Sequence, residues 1–298
     1  MRRQNAWLQL ESGEHYVKGS IGIQAALNLL RQHLAEVSET AGLDAQVLLA
    51  DLLAKPRSWV LAHPEYVLSV EEAESLTAVS ARLAQNEPVP YILGFREFYG
   101  LKLAVSPAVL IPRPETELLV EQALNWLTKH PGLRLAADVG TGSGCIAVSL
   151  AANHDPLRII ATELSTPALR VAQRNISSHC LSEQIWLVQC DLLHGIAGPF
   201  DLICANLPYI PTRTLEELPV KVWEPRPALW GGSDGLEQIS SLLRSISDKL
   251  TARGLLLLEI ESSQGAATYS LVRNALPGAA IQIIPDLAGH DRLISAQN

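Results

Sequence analysis

Residues 133–154 read LRLAADVGTGSGCIAVSLAANH. The apolar run LRLAADVG predicts a strand, and CIAVSLAANH predicts a helix. Between them lies Asp138-Val139-Gly140-Thr141-Gly142-Ser143-Gly144. Glycines at every second position let the backbone turn tightly and approach a ligand closely. The helix that follows presents N–H groups with no partner inside the helix. A glycine-rich turn alone is a weak sign; at the carboxyl end of a strand, opening a helix, it carries weight.

Around this stretch, strands and helices alternate from about residue 117 onward. ELLVEQALNWLTKH predicts a helix and RIIATEL a strand. PALRVAQRNISSH predicts a helix, and IWLVQCD and FDLICAN predict strands. GLEQISSLLRSISDKL predicts one helix, GLLLLEI a strand and SQGAATYSLVRNAL a helix; AIQIIPDLAGHDRLISAQ holds two more strand signals. Strands separated by helices of this length imply βαβ units and a mostly parallel sheet. The strands are apolar on both faces, as in a sheet covered on both sides. The two last strands, with no helix between them, imply an antiparallel edge.

The sheet's carboxyl edge gathers the candidate ligand groups. Glu163 closes the second strand, 23 residues after Gly140, where a carboxylate can accept both ribose hydroxyls of a nucleoside. Asp191, closing the third, can meet adenine N–H groups, and Leu192 can cover the ring. The loop is G-x-G-x-G rather than the dinucleotide pattern G-x-G-x-x-G, and no Walker lysine follows it. It resembles the S-adenosylmethionine loop of the seven-stranded methyltransferases.

Asn206-Leu207-Pro208-Tyr209 follows the fourth strand. Alone it reads as a turn, since Asn and Pro are turn formers. On the same edge as the glycine loop it reads as the floor of a catalytic pocket. It resembles the [Asn/Asp]-Pro-Pro-[Tyr/Phe/Trp] motif of methyltransferases acting on planar nitrogens. The Asn206 oxygen and the Leu207 backbone carbonyl can accept the two N–H groups of an amide, and Tyr209 can lie on its plane. Leu207 stands where that motif usually has proline; because the acceptor is a backbone carbonyl, its side chain need not matter to that role. Pro208 favours an extended Leu207.

Upstream, residues 20–86 read as a helical bundle without strand signals. Helices are expected at IQAALNLLRQHLAEV, at DAQVLLADLLA after Gly42, and at EEAESLTAVSARLAQ opened by a Ser69–Glu72 capping box. Residues 87–112 form a Pro- and Gly-rich linker carrying a hairpin whose two arms are YILGFREFYGLKLAV. Tyr91, Phe95, Phe98 and Tyr99 are expected to pack; Arg113, Glu115 and Glu117 are either solvated charges or braces at a pocket entrance. Residues 1–19 read as a polar extension without the apolar core of a secretory signal.

The 298 residues are 48% hydrophobic and 18% charged, enough to bury a sizeable core. A net charge of −8 argues against a protein that wraps nucleic acid, and no apolar run approaches a membrane span. Cys145, Cys180, Cys190 and Cys204 form no metal-ligand spacing, so no metal is expected, and they are read as reduced, mostly buried thiols of a cytoplasmic protein. The triplet Asn175-Ile176-Ser177 matches a glycosylation acceptor and is read as incidental.

YILGFREFYG, IPRPETELLVEQAL, DVGTGSGCIA, NLPYI, EPRPALWGGSDGL and DLAGHDR together resemble the HemK/PrmC family of peptide chain release factor glutamine methyltransferases, from about residue 20 to the end. The resemblance implies a seven-stranded class I, Rossmann-like methyltransferase domain over 113–298. It also implies a small helical N-terminal domain that docks the substrate, joined by the hairpin linker. It implies methyl transfer from S-adenosylmethionine to the glutamine side chain of the Gly-Gly-Gln loop of release factors, with neither nucleic acid nor membrane as a stable partner. Gly140, Thr141, Gly142, Ser143, Gly144, Glu163, Asp191, Leu192 and Asn206 would hold the cofactor. Asn206, Leu207, Pro208 and Tyr209 would hold the substrate, with Asn206 and Tyr209 catalytic. The alternatives are a ribosomal protein glutamine methyltransferase and a nucleic-acid exocyclic-amine methyltransferase.

Overall fold

The computed structural model describes residues 21–132, 135–218 and 222–298; the polar extension expected at 1–19 lies outside them. The chain divides into two compact units, one ending at Leu93 and the other running Gly94–Asn298.

The first unit is helical: α1 (Ile23–Leu34), α2 (Ala41–Leu52), α3 (Arg57–Ala62), α4 (Val70–Leu83) and α5 (Val89–Leu93). α1 buries Ile23, Ala26, Leu27, Leu30 and Leu34, the three- and four-residue rhythm of one helix face. The capping box forms as expected: Ser69 Oγ accepts from the Glu72 N–H at 3.2 Å, and Glu72 Oε2 accepts from the Ser69 N–H at 2.7 Å. Gly42 lies inside α2 rather than ahead of it. The six-residue α3 was absent from the sequence reading, because one turn and a half carries too little periodicity. The expected hairpin arms are shorter than read, since Tyr91 to Leu93 are helical.

The second unit opens with the hairpin of β1 (Phe95–Phe98) and β2 (Leu101–Ala104), whose turn residues Tyr99 and Gly100 both have positive φ, as a tight two-residue hairpin requires. Then come α6 (Glu117–Lys129), β3 (Leu135–Val139), α7 (Cys145–Asn153), β4 (Arg158–Glu163), α8 (Thr166–Ser178), β5 (Ile185–Gln189) and β6 (Phe200–Ala205). They are followed by α9 (Thr212–Glu217), α10 (Glu237–Leu243), β7 (Leu250–Glu259), α11 (Gly265–Ala275), β8 (Ala280–Pro285) and β9 (Asp291–Gln297). The long helix expected over 235–250 stops at Leu243. A 3-10 turn, Ile246–Asp248, follows it, and β7 starts at Leu250 because that residue pairs with Phe200 of β6.

The seven strands take the order β5-β4-β3-β6-β7-β9-β8, with β3 to β7 parallel and β9 antiparallel to both neighbours. Both faces are covered, and successive residues show it. Ala136, Leu202, Cys204, Leu255 and Leu257 join a core supplied by α6, α7 and α8. Ala137, Ile203, Ala205, Leu256 and Leu258 join a second core supplied by α10 and α11. The chain leaves β3 for β4 and β5, then returns to place β6 on the other side of β3. The carboxyl ends of β3 and β6 therefore flank the switch point where open α/β sheets bind ligands.

Candidate active site

At that switch point Val139 pairs with Ala205. The glycine loop and the Asn206 turn thus start at adjacent positions of neighbouring strands. A cavity of about 550 Å³ lies over them. Gly140 to Ser143, Glu163, Asp191, Leu192 and Asn206 to Pro208 are in its wall, with Arg113, Thr116, Cys145 and Trp230. Gly144 and Tyr209 lie beside the cavity rather than in its wall.

The glycine loop is held by its own strand and by the end of β4. Buried Asp138 accepts from Thr141 Oγ1 at 2.5 Å and from the Ala147 N–H at 3.1 Å. Burial raises its carboxyl to about 6, and those two bonds pull it down. Gly140 has φ 70°, and a Cβ there would meet Leu207 Cδ2 at 3.1 Å, so the loop closes tightly on the Asn206 turn. Glu163 accepts from the Gly142 N–H at 3.0 Å through Oε2 and from the Ser165 N–H at 2.8 Å through Oε1. Its carboxylate is therefore fixed, and each oxygen keeps a lone pair. Asp191 is exposed; Leu192 has φ 50°, a conformation that is strained for leucine.

The Asn206 turn is held from elsewhere in the chain. Asn206 Nδ2 donates to Thr116 Oγ1 at 3.0 Å. Leu207 is 2% exposed and sits in the core packed by α10 and α11, where its side chain fills the space beneath Gly140. The Tyr209 carbonyl accepts from Gln264 Nε2 at 3.0 Å. A Cβ at Gly235 would come within 2.2 Å of that carbonyl, so only glycine lets the 231–235 loop back the turn. Burial, with Glu259 adding to it, pushes the Tyr209 hydroxyl up to about 12, so it stays neutral.

Of the three charges left open by the sequence, Arg113 lines the cavity and its Nη2 lies 2.6 Å from Oε2 of buried Glu224. Burial raises that carboxyl, and Arg113 opposes the rise. Glu117 instead accepts from the Tyr99 N–H at 2.8 Å, bracing the hairpin. Phe98 is buried with α6 and α7, as packing predicts. Only Cys204 of the four thiols is buried, and Cys180 is exposed, so most of them are not core residues. Among the described residues no cluster of metal-ligating side chains exists, and no helix is long and apolar enough to cross a membrane.

The sequence reading missed several residues. Asn175, dismissed with its triplet, is fully buried; its Nδ2 donates to the Ser143 carbonyl at 2.8 Å and to Ala104 at 3.0 Å, joining glycine loop to hairpin. Thr116 and Gln264 carried no local signal. Glu259 did: it is a carboxylate ending an apolar strand on the ligand edge, the same pattern that singled out Glu163.

Residues 25–94 match the family model of the PrmC N-terminal domain, and residues 115–218 that of the methyltransferase small domain. A release factor glutamine methyltransferase of Moorella thermoacetica is 40% identical over 275 residues, 92% of this chain and 97% of that protein. One of Coxiella burnetii is 38% identical over 283 residues, 93% and 99% of the two chains. The solved hMettl16 catalytic domain, bound to a MAT2A 3′UTR hairpin, aligns with a TM-score of 0.51 at 18% identity, covering 76% of this chain and 81% of that one. The fold is the expected class I, Rossmann-like methyltransferase arrangement with a helical N-terminal region.

Proposed function

This chain belongs to the release factor glutamine methyltransferase family, and from that premise we propose that it methylates the side-chain amide nitrogen of the glutamine in the Gly-Gly-Gln motif of peptide chain release factors. The methyl donor is S-adenosylmethionine, which supplies an electrophilic methyl group on a sulfonium. Gly140 to Gly144, Glu163, Asp191, Leu192 and Asn206 would hold it. The residues present fit such a ligand. The cavity of about 550 Å³ lies within the usual range of small-molecule sites, Gly140 takes the positive φ that a close-approaching glycine turn needs, and the Glu163 carboxylate is immobilised for a diol.

An amide nitrogen is a weak nucleophile because its lone pair is shared with the carbonyl. Asn206 Oδ1 and the Leu207 carbonyl accept its two N–H groups, aim the lone pair and stabilise the positive charge that grows on nitrogen. Neutral Tyr209 fixes the plane of the amide. Bound there, the sulfonium would supply an already activated methyl group, so the amide would need no base beforehand; its proton becomes acidic only once positive charge has grown on nitrogen. Orientation of this kind contributes several kcal/mol, up to ~7–11. The observation that carries this reading is the pairing of Val139 with Ala205, which sets the donor loop and the acceptor turn side by side on one cavity wall.

Purified protein with labelled S-adenosylmethionine is expected to label a release factor and not its Gln→Ala loop variant; label in a ribosomal protein or in DNA instead would refute it. The helical unit serves as the docking surface for the body of the release factor. Val37, Leu43, Leu61, Val67 and Val70 are exposed apolar residues within it. Leu61→Ser with Val70→Ser is expected to raise KM for the whole release factor and not for a loop peptide.

A further inference from the structure

Next to Asn206 lie two buried polar side chains, Thr116 and Glu259. Ala205 pairs with Leu258, so Glu259, at the end of β7, stands next to Asn206 across the sheet. Glu259 and Thr116 are each 2% exposed. The Thr116 and Asn206 side chains neighbour the Glu259 carboxyl and favour its ionised form, and its Oε2 is buried without a hydrogen-bond partner. Asn206 Nδ2 in turn donates to Thr116 Oγ1.

A hydroxyl has one proton to give. Given to the carboxylate, it leaves Thr116 Oγ1 as an acceptor, and only the NH2 end of the Asn206 amide can face it. A protonated carboxyl group donates to Oγ1 instead. The hydroxyl is then free to donate to Asn206 and turn the amide end for end. The two ends have the same shape and opposite hydrogen-bonding character, so sterics do not choose between them.

We propose that Glu259 is a positioning residue that, through the Thr116 hydroxyl, fixes which end of the Asn206 amide meets the substrate, so that Oδ1 faces the cavity as an acceptor. The inference deepens the proposed function, since it assumes a substrate whose N–H groups must be accepted. The ionised carboxylate is the working form. Burial raises Glu259 to about 7, opposed by Thr116, Arg292 and Asn206, with Glu115 adding to the rise. Those groups face it from the segment before α6, from β9 and from the end of β6. Tyr209 and Cys145, which also feel its charge, are each pushed up to about 12, chiefly by burial.

The first test needs no substrate. In 15N-labelled protein without ligand, the Asn206 side-chain NH2 resonance is expected to shift between pH 5.5 and 8.5 with an inflection at about 7. In Glu259→Gln that inflection disappears. The second test is kinetic. Wild-type kcat toward a release factor rises with pH through the same window. In Glu259→Gln it is about tenfold lower and flat, while KM and the Kd for S-adenosylmethionine stay within about threefold. Thr116→Val reproduces that loss, and Thr116→Ser recovers most of kcat. The double variant of Thr116→Val with Glu259→Gln is no worse than the weaker single one, because both break one relay. A resonance that does not titrate, a Glu259→Gln enzyme with wild-type kcat and pH limb, or additive losses would overturn the inference. If Glu259→Gln fails to fold, the wild-type resonance and the Thr116 pair decide. If the wild type leaves release factors unlabelled while the resonance titrates, the proposed function fails and this inference stands.

Discussion

The glycine loop and the Asn206 turn face each other across the switch point, yet they are built in opposite ways. The loop is secured from close by: Asp138 holds Thr141 and Ala147, and Glu163 holds Gly142 and Ser165. Asn175 is the distant addition, through the Ser143 carbonyl. The turn depends on partners scattered through the chain: Thr116 before α6, Gln264 before α11, and the 231–235 loop that presses on Tyr209. A ligand loop made of main-chain groups tolerates a local design. Under the proposed mechanism, two oxygens that must sit at a set angle to a reacting nitrogen need support from several directions.

That contrast predicts which constants move. Asn206→Ala is expected to lower kcat at least ~100-fold, as for loss of one preorganised polar group, while the Kd for S-adenosylmethionine rises only a few-fold; single-turnover rates and calorimetry separate the two. Gly235→Ala forces a Cβ within 2.2 Å of the Tyr209 carbonyl. It should lower kcat about tenfold with cofactor affinity nearly intact. Gly140→Ala should do the reverse, weakening the cofactor by about 1–2 kcal/mol through φ 70° and the Leu207 contact, with kcat at saturation less affected. If both glycine variants damaged Kd and kcat alike, the two halves would be one unit.

A smaller effect tests the loop alone. Asp138 has its carboxyl raised by burial, so the folded state holds its proton more tightly than the unfolded chain does. Its contribution to stability is therefore present below the unfolded value of 3.8 and is lost as pH rises through about 6. Asp138→Asn keeps an acceptor for Thr141 and Ala147 and replaces the unpartnered Oδ1 with a neutral group. Urea unfolding at pH 5 and pH 8 should show the variant gaining on the wild type by about 1–2 kcal/mol at the higher pH. The smallest change lies outside the site: Ser69→Ala removes the α4 cap and should lower stability by ~1 kcal/mol, leaving kcat toward a loop peptide unchanged.

Much of this architecture was legible without coordinates. Strand and helix periodicity names all seven strands of the sheet, because burial on both faces leaves long apolar runs. The capping box between Ser69 and Glu72 and the glycine loop were equally readable, since each is a local pattern of three to seven residues. The errors fall where a distant partner decides. The helix expected to reach residue 250 ends at Leu243 because Leu250 is claimed by Phe200 of another strand. Leu207 was given no side-chain part because its neighbour Gly140 lies 67 residues away in sequence. Asn175 was set aside because Ala104 and Ser143, which it ties together, are invisible from its own helix.

What residue order alone determined is the chemistry on offer: a glycine turn that opens a helix, a carboxylate to follow it, and an amide with a carbonyl beside it. These follow from covalent spacing and side-chain type. Only the folded chain decided which way the Asn206 amide points, how Leu207 bears on the glycine loop, and that Glu259 stands next to Asn206. Hydrogen-bond direction and packing depend on groups brought together by the sheet, and no local stretch of sequence records them.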